Sequence, residues 1–143
     1  MKDTIFNSKI SFNCQGILHE FNKPLIMAIL NVTPDSFYKQ SRVDTDELIF
    51  NKANDFIKLS ADIIDIGGYS SRPGANNIPI EEELKRVLNG IKIVKSICKK
   101  TLISVDTFRA EVAELALKNG ANIINDISGG QANSGIYKIA TKY

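Results

Sequence analysis

Four short apolar runs recur along the chain, and each ends in polar residues. Residues 25–30 (Leu-Ile-Met-Ala-Ile-Leu) lead into Asn31-Val32-Thr33-Pro34-Asp35-Ser36-Phe37. Residues 62–67 lead into Gly68-Tyr69-Ser70-Ser71-Arg72-Pro73-Gly74. Residues 101–105 lead into Asp106-Thr107, and residues 121–125 end in Asn125-Asp126 ahead of Ser128-Gly129-Gly130. The runs are short and rich in β-branched residues, as parallel strands are when both faces of their sheet are covered. Segments of helical periodicity separate them, so the pattern predicts βα units joined by right-handed crossovers into a parallel sheet.

The helical segments can be placed by their apolar faces. In the first, Ile49, Ala53, Phe56, Ile57 and Ser60 share a face, with Asp44 or Thr45 as N-cap. In the second, Leu84, Val87, Leu88, Ile91, Val94 and Cys98 form a stripe. Glu81, Glu82 and Glu83 crowd its first turn, and Lys99 and Lys100 its end, as the helix dipole favours. Lys92, Lys95, Lys99 and Lys100 read as a solvated face. In the third, Phe108, Val112, Leu115 and Ala116 align and Gly120 is the stop. A fourth begins near Ser134. Ahead of all four units, Ile10 to Phe21 alternates around Gln15-Gly16, which predicts a short hairpin with His19 as a solvated residue.

An internal echo chooses between two parallel-sheet folds. Ala61-Asp62-Ile63-Ile64-Asp65-Ile66 returns 60 residues later as Ala121-Asn122-Ile123-Ile124-Asn125-Asp126, two βα units on. In a (β/α)8 barrel alternate strands feed the same interior layer, which would bring Asp65 and Asn125 to a similar height. A doubly wound sheet gives no reason for such phasing. The expected fold class is therefore α/β, of the TIM-barrel family. A full barrel takes roughly 250 residues. Residues 1–143 are thus read as its N-terminal portion, the first four βα units preceded by the hairpin.

Composition closes off several function classes. A formal net charge of +2 gives no case for nucleic acid or a membrane surface. No apolar stretch approaches the roughly 20 residues of a membrane span, and the N-terminal residues lack a signal-peptide core. Cys14 and Cys98 lack metal-ligand spacing and suit a reduced, cytoplasmic interior. His19 is the only histidine, which excludes a histidine-based triad or a multi-histidine metal centre within this chain.

The chemistry is expected at the strand ends. Ser70, Ser71, glycine amides and Arg72 suit an anion, although Ser-Ser-Arg-Pro-Gly reads equally as a surface turn. Asp106 sits where a carboxylate can hold a polar heterocycle or stabilise developing positive charge; its bland alternative is a helix N-cap. Asn125 can offer a donor and an acceptor to a heterocycle edge, or act as a capping amide. Asn31 is the candidate ligand for a hard cation such as Mg2+, which keeps waters and borrows substrate phosphate oxygens. Asp65 is either a residue of the site rim or a structural carboxylate bonded to loop amides.

The stretches 29–37, 63–75, 103–107 and 123–129 together resemble the dihydropteroate synthase family in order and spacing. The resemblance implies joining 6-hydroxymethyl-7,8-dihydropterin pyrophosphate to 4-aminobenzoate, with release of pyrophosphate, at the mouth of a barrel. It implies Mg2+ at Asn31, pterin at Asp106 and Asn125, and catalytic roles for Asp35, Asp106 and Arg72. Phe37, Ser71, Arg72 and Pro73 would complete the substrate pocket, where sulfonamides also bind. It further implies small-molecule substrates alone as partners, a cytoplasmic location, and a homodimer for the full-length form. Three departures stand out. Tyr69 and Ser71 occupy positions where the family has Glu and Thr. Tyr38-Lys39-Gln40-Ser41-Arg42 replaces Ser/Tyr-Asp-Gly-Gly. The family's later Asp-Pro-Gly-Phe-Gly, Ser-Arg-Lys and Arg-Val-His motifs have no counterpart here. The 143-residue chain is therefore expected to be inactive alone. The alternatives are a non-catalytic pterin- or phosphate-binding half-barrel and a pterin-binding methyltransferase domain; the Thr-Pro-Asp-Ser-Phe and Ser-Arg-Pro-Gly stretches argue against the latter.

Overall fold

The computed structural model describes residues 10–14, 16–33, 45–70 and 77–143. The chain opens with an antiparallel hairpin of β1 (Ile10–Cys14) and β2 (Ile17–Phe21). Gly16 turns it with a φ of 79°, a region glycine enters without a Cβ clash, and its N–H donates to Asn13 Oδ1 at 3.0 Å. His19 is not simply solvated. It lies half-buried between Phe12 and Phe21, with its ring centroid 5.3 Å from that of Phe12. The buried Cys14 donates its S–H to the Asn122 carbonyl at 3.2 Å, which docks the hairpin beneath the last strand.

Four parallel strands follow in chain order: β3 (Met27–Asn31), β4 (Ile63–Gly67), β5 (Leu102–Asp106) and β6 (Ile123–Asn125). Each is followed by a helix: α1 (Thr45–Lys58), α2 (Ile80–Ile97), α3 (Ala110–Lys118) and α4 (Gly135–Lys142). Successive helices pack on one another across one face of the sheet. There Leu30, Ile64, Ile66, Ile103 and Val105 are buried against Ile49, Ala53, Val87, Ile91, Val94, Val112 and Ala116. This is the partial barrel expected from the βα alternation. Because side chains alternate along a strand, the opposite, interior face carries Ile29, Asn31, Asp65, Gly67, Ser104, Asp106, Ile123 and Asn125. At the β3 edge that face is open, with Met27 42% and Ile29 60% exposed.

Every strand begins one or two residues later than its apolar run, and side-chain clamps explain the two larger delays. Before β3, the Ile26 N–H donates to Asp62 Oδ2 at 2.9 Å. Before β6, Asn122 Oδ1 accepts from the Ile103 N–H at 3.0 Å. A carboxylate and an amide thus stand in for ladder carbonyls at the sheet's lower rim.

Helix ends correct several expectations. Ser60 is not on the α1 face. It lies exposed beyond the helix, with a left-handed φ of 65°. Its N–H donates to Ile57 and that of Ala61 to Phe56, the bonding of a Schellman stop. Gly120 closes α3 in the same way, with N–H bonds from Gly120 to Leu117 and from Ala121 to Ala116. Cys98 is the half-buried C-cap of α2 rather than part of its stripe, and Lys99 and Lys100 lie past its end, leaving Lys95 as the last-turn cation. Phe108 precedes α3, and Leu115 faces outward because it falls on the solvent side of that short helix. Asp106 does not cap α3: the N-cap is Arg109, whose N–H donates to Thr107 Oγ1 at 3.2 Å.

Candidate functional site

Three of the sequence-predicted residues meet at the C-terminal ends of the strands. Asn31 ends β3, Asp106 ends β5 and Asn125 ends β6. Gly67, at the end of β4, is in register with Asn31 on one side and Asp106 on the other, and Asp106 is in register with Asn125. Gly67 makes room between its neighbours. A Cβ there would stand 3.0 Å from Asn31 Oδ1 and 3.7 Å from Asp106 Oδ2, so glycine keeps a notch open between two oxygens. Among the described residues no group of three His, Cys, Asp or Glu could hold a metal. The Asn31 side-chain oxygen beside Gly67 instead suits a hard cation that completes its shell with water and phosphate.

The site is short of donors. Asp106 is half-buried and accepts no hydrogen bond from a described residue. Burial, and then the carboxylates of Asp65, Glu83 and Asp126, push its carboxyl up to about 6. Asp65, one pleat lower on β4, is only 3% exposed. It is not bonded to described loop amides: its Oδ2 accepts from Asn125 Nδ2 at 3.0 Å and its Oδ1 has no described partner. Asp126 is spent on its own turn. Burial alone would raise its carboxyl, but bonds from the Ser128 N–H and hydroxyl and from the Gly130 N–H hold it below the usual carboxylate range. Ile127, 82% exposed, leaves an apolar ledge beside Asn125.

A buried ionic knot that sequence reasoning missed pins the flanks of the second loop. Glu83, fully buried on α2, accepts from Thr107 Oγ1 at 2.6 Å and from Arg109 Nη1 at 2.9 Å. Arg109 Nη2 also donates to Asn77 Oδ1 and the Ile78 carbonyl. The same guanidinium lies over the rings of Tyr69 and Phe108, which meet edge to face. Tyr69 thus uses its ring at a position where the resembled family has Glu. Two signals were available. Glu83 falls on the face of Val87, Ile91 and Val94, and Arg109 is a cation at a helix N-terminus, where the dipole opposes it. Both called for a partner.

Pro34, Asp35 and Phe37 in the first loop, and Ser71, Arg72 and Pro73 in the second, lie outside the described residues. A cavity of about 1040 Å³ lies elsewhere, between α1 and α2, and is lined by side chains such as Ile49, Arg86, Asn89 and Lys92. Size alone would favour it. The strand ends carry the aligned side-chain oxygens and the perturbed carboxyl, and these make them the candidate site.

Comparison with known proteins bears on what this arrangement serves. A family profile described as pterin binding enzyme matches residues 27–143. The folic acid synthesis protein fol1 of Pneumocystis carinii is 52% identical over 106 residues, covering 74% of this chain and 14% of that protein. The mitochondrial folate synthesis bifunctional protein of Pisum sativum is 43% identical over 126 residues, covering 87% of this chain and 24% of that one. The solved dihydropteroate synthase of Xanthomonas albilineans with 4-aminobenzoic acid superposes with a TM-score of 0.82 at 36% identity, covering 92% of this chain and 49% of that chain. The chain therefore spans about half of the solved enzyme and a quarter or less of the other two relatives.

Proposed function

Because the chain belongs to the pterin-binding enzyme family, we propose that it carries the N-terminal half of a dihydropteroate synthase site in folate biosynthesis. The substrates are 6-hydroxymethyl-7,8-dihydropterin pyrophosphate and 4-aminobenzoate. The methylene C–O bond breaks and pyrophosphate leaves with the electron pair. The amino nitrogen then forms the new C–N bond and gives up one proton, yielding 7,8-dihydropteroate.

The observation that carries this reading is the alignment of Asn31, Gly67, Asp106 and Asn125 in register at the C-terminal ends of the four strands, with the Asn31 and Asp106 oxygens on either side of Gly67. Asp106 lacks a described donor of its own, so a ring N–H, or the positive charge that grows as pyrophosphate departs, supplies what burial withholds. Asn125 pairs with the heterocycle edge, over the ledge of Ile127. The donor set fits Mg2+ held by Asn31 and substrate phosphate oxygens, and when bound it supplies charge neutralisation for the leaving group. Asp35 and Arg72 act on the pyrophosphate side of the reacting methylene, and Phe37, Ser71 and Pro73 line the aminobenzoate pocket. The full-length form works as a homodimer on small-molecule substrates. The two unpaired cysteines support a cytoplasmic location, while the pea relative is named mitochondrial; cell fractionation decides between these compartments. No described helix is long and apolar enough to cross a membrane.

A second reading rests on the open interior face at Met27 and Ile29: the 143-residue chain is a non-catalytic pterin- or phosphate-binding half-barrel until another segment covers that face. One experiment separates the two. The purified chain is assayed for dihydropteroate formation alone and after mixing with a separately expressed C-terminal half of a solved relative. Product only on mixing supports the split synthase site. Pterin binding without product in either case favours the second reading. Full activity of the unmixed chain would overturn the assignment of half a site.

A further inference from the structure

Asp65 is a carboxylate whose burial stability does not explain. It is only 3% exposed on the second strand of the parallel sheet, yet a single amide N–H of Asn125, 3.0 Å away, is its one described partner. Its Oδ1 has none, and neither has the Oγ of Ser104, its in-register neighbour on β5. A buried charge served by one neutral donor is a poor structural device, and an apolar side chain of similar volume would serve folding better.

What the bond does accomplish is orientation. A carboxylate offers acceptors, so Asn125 must turn its nitrogen towards Asp65. Rotating the amide by half a turn would press Oδ1 of Asn125 against Oδ2 of Asp65. One N–H is thus committed below. Oδ1 and the second N–H remain at the strand end beside Asp106, in a fixed order. We infer that Asp65 is a positioning residue: it sets which way round Asn125 presents its donor and acceptor, and so dictates the hydrogen-bonding order that a bound heterocycle must show.

The inference rests on the proposed pterin reading and makes it specific. Along the edge formed by N1 and the C2 substituent, a 2-amino-4-oxopteridine presents an acceptor and then a donor. A 2,4-dioxopteridine of the same shape presents a donor and then an acceptor. A locked amide fits the first order, and a freely flipping amide fits both.

The test is a fluorescence titration of the 143-residue chain with 6-hydroxymethylpterin and with 6-hydroxymethyllumazine. Wild type should prefer the pterin. Asp65→Asn keeps the shape of residue 65 but lets it donate as well as accept, which frees Asn125 to turn over. The pterin-to-lumazine affinity ratio should then fall about tenfold, mainly through tighter lumazine binding. Ser104→Ala removes the neighbouring unpartnered hydroxyl without touching the amide, and should leave the ratio as in wild type. A purely structural Asp65 would lower both affinities together; an unchanged ratio in Asp65→Asn overturns the inference while the pterin reading stands. Wild type that binds neither ligand, alone or mixed with the C-terminal half of a solved relative, overturns both.

Discussion

Asp106→Asn sets the site's chemistry against the chain's stability. The carboxyl is raised from an ordinary 3.8 to about 6, first by burial and then by Asp65, Glu83 and Asp126. The sign follows from proton binding. Between pH 3.8 and about 6 the folded chain holds this proton more tightly than the unfolded chain, so stability falls as pH rises through that window and stays lowered above it. For a wholly buried group, at about 1.4 kcal/mol per pKa unit, the penalty would approach 3 kcal/mol. Asp106 is only half-buried, and solvent screening cuts this to about 1 kcal/mol. The neutral, near-isosteric asparagine avoids the penalty. Urea unfolding followed by circular dichroism should therefore show Asp106→Asn about 1 kcal/mol more stable than wild type at pH 7.5. The gain should shrink to a few tenths of a kcal/mol or less near pH 3.5, where the aspartate is mostly protonated in both states.

The same substitution should weaken pterin binding by about 1–3 kcal/mol, because an amide returns less to a ring N–H than a carboxylate does. Opposite signs for stability and binding mark a residue kept for its ligand. Asp106→Asn that is less stable than wild type at pH 7.5, or whose gain persists in full at pH 3.5, would refute the electrostatic account. Unchanged pterin affinity by calorimetry would refute the binding role.

Further substitutions probe the frame around the site. Arg109→Ala strands the buried Glu83 without its cation and should cost about 3–5 kcal/mol in urea unfolding; the double variant Arg109→Met with Glu83→Met, which removes both charges, should recover most of that loss. Ser60→Gly relieves a left-handed φ of 65° at an exposed position and should stabilise the chain by roughly 1 kcal/mol, seen as a higher melting temperature. Asn122→Ala removes the acceptor for the part-buried Ile103 N–H and should cost about 1–2 kcal/mol, whereas Asp62→Ala acts on the more exposed Ile26 N–H and should cost less in the same assay.

What was legible in the sequence followed from periodicity, and what was not came from side chains meeting across elements. The apolar runs gave strand order and the one-sided helix layer because each βα unit must bury its own face. The strand-end residues Asn31, Asp106 and Asn125 were found because a parallel sheet displays its ends. Glu83 was read by its place in the helix's first turn, where three acids suit the dipole. Its place on the buried stripe, one turn before Val87, was the stronger constraint. Arg109 went unread because a cation at a helix start has no local reason to be there. Its reason is Glu83, the Asn77 side chain and the Ile78 carbonyl, contacts that no local pattern encodes.

The echo at 60 residues reaches further than fold class. Ser60 and Gly120 close their helices with the same pair of bonds, and Asp62 and Asn122 each clamp the N–H of a neighbouring strand's first turn. At the third echoed position the two copies meet directly, Asn125 donating to Asp65. In ladder register Asp65 pairs with Ser104 and Ser104 with Ile123, so Asn125 stands two residues beyond the position in line with Asp65. A barrel of eight strands and shear eight slips by about one residue per strand, and across two strands that is this offset. An untilted sheet would put Asp65 opposite Ile123 instead. The Asp65–Asn125 bond thus spans the offset that barrel tilt produces across two strands. Both members of that pair come from these four strands, so the bond that turns the Asn125 amide needs no side chain from outside them.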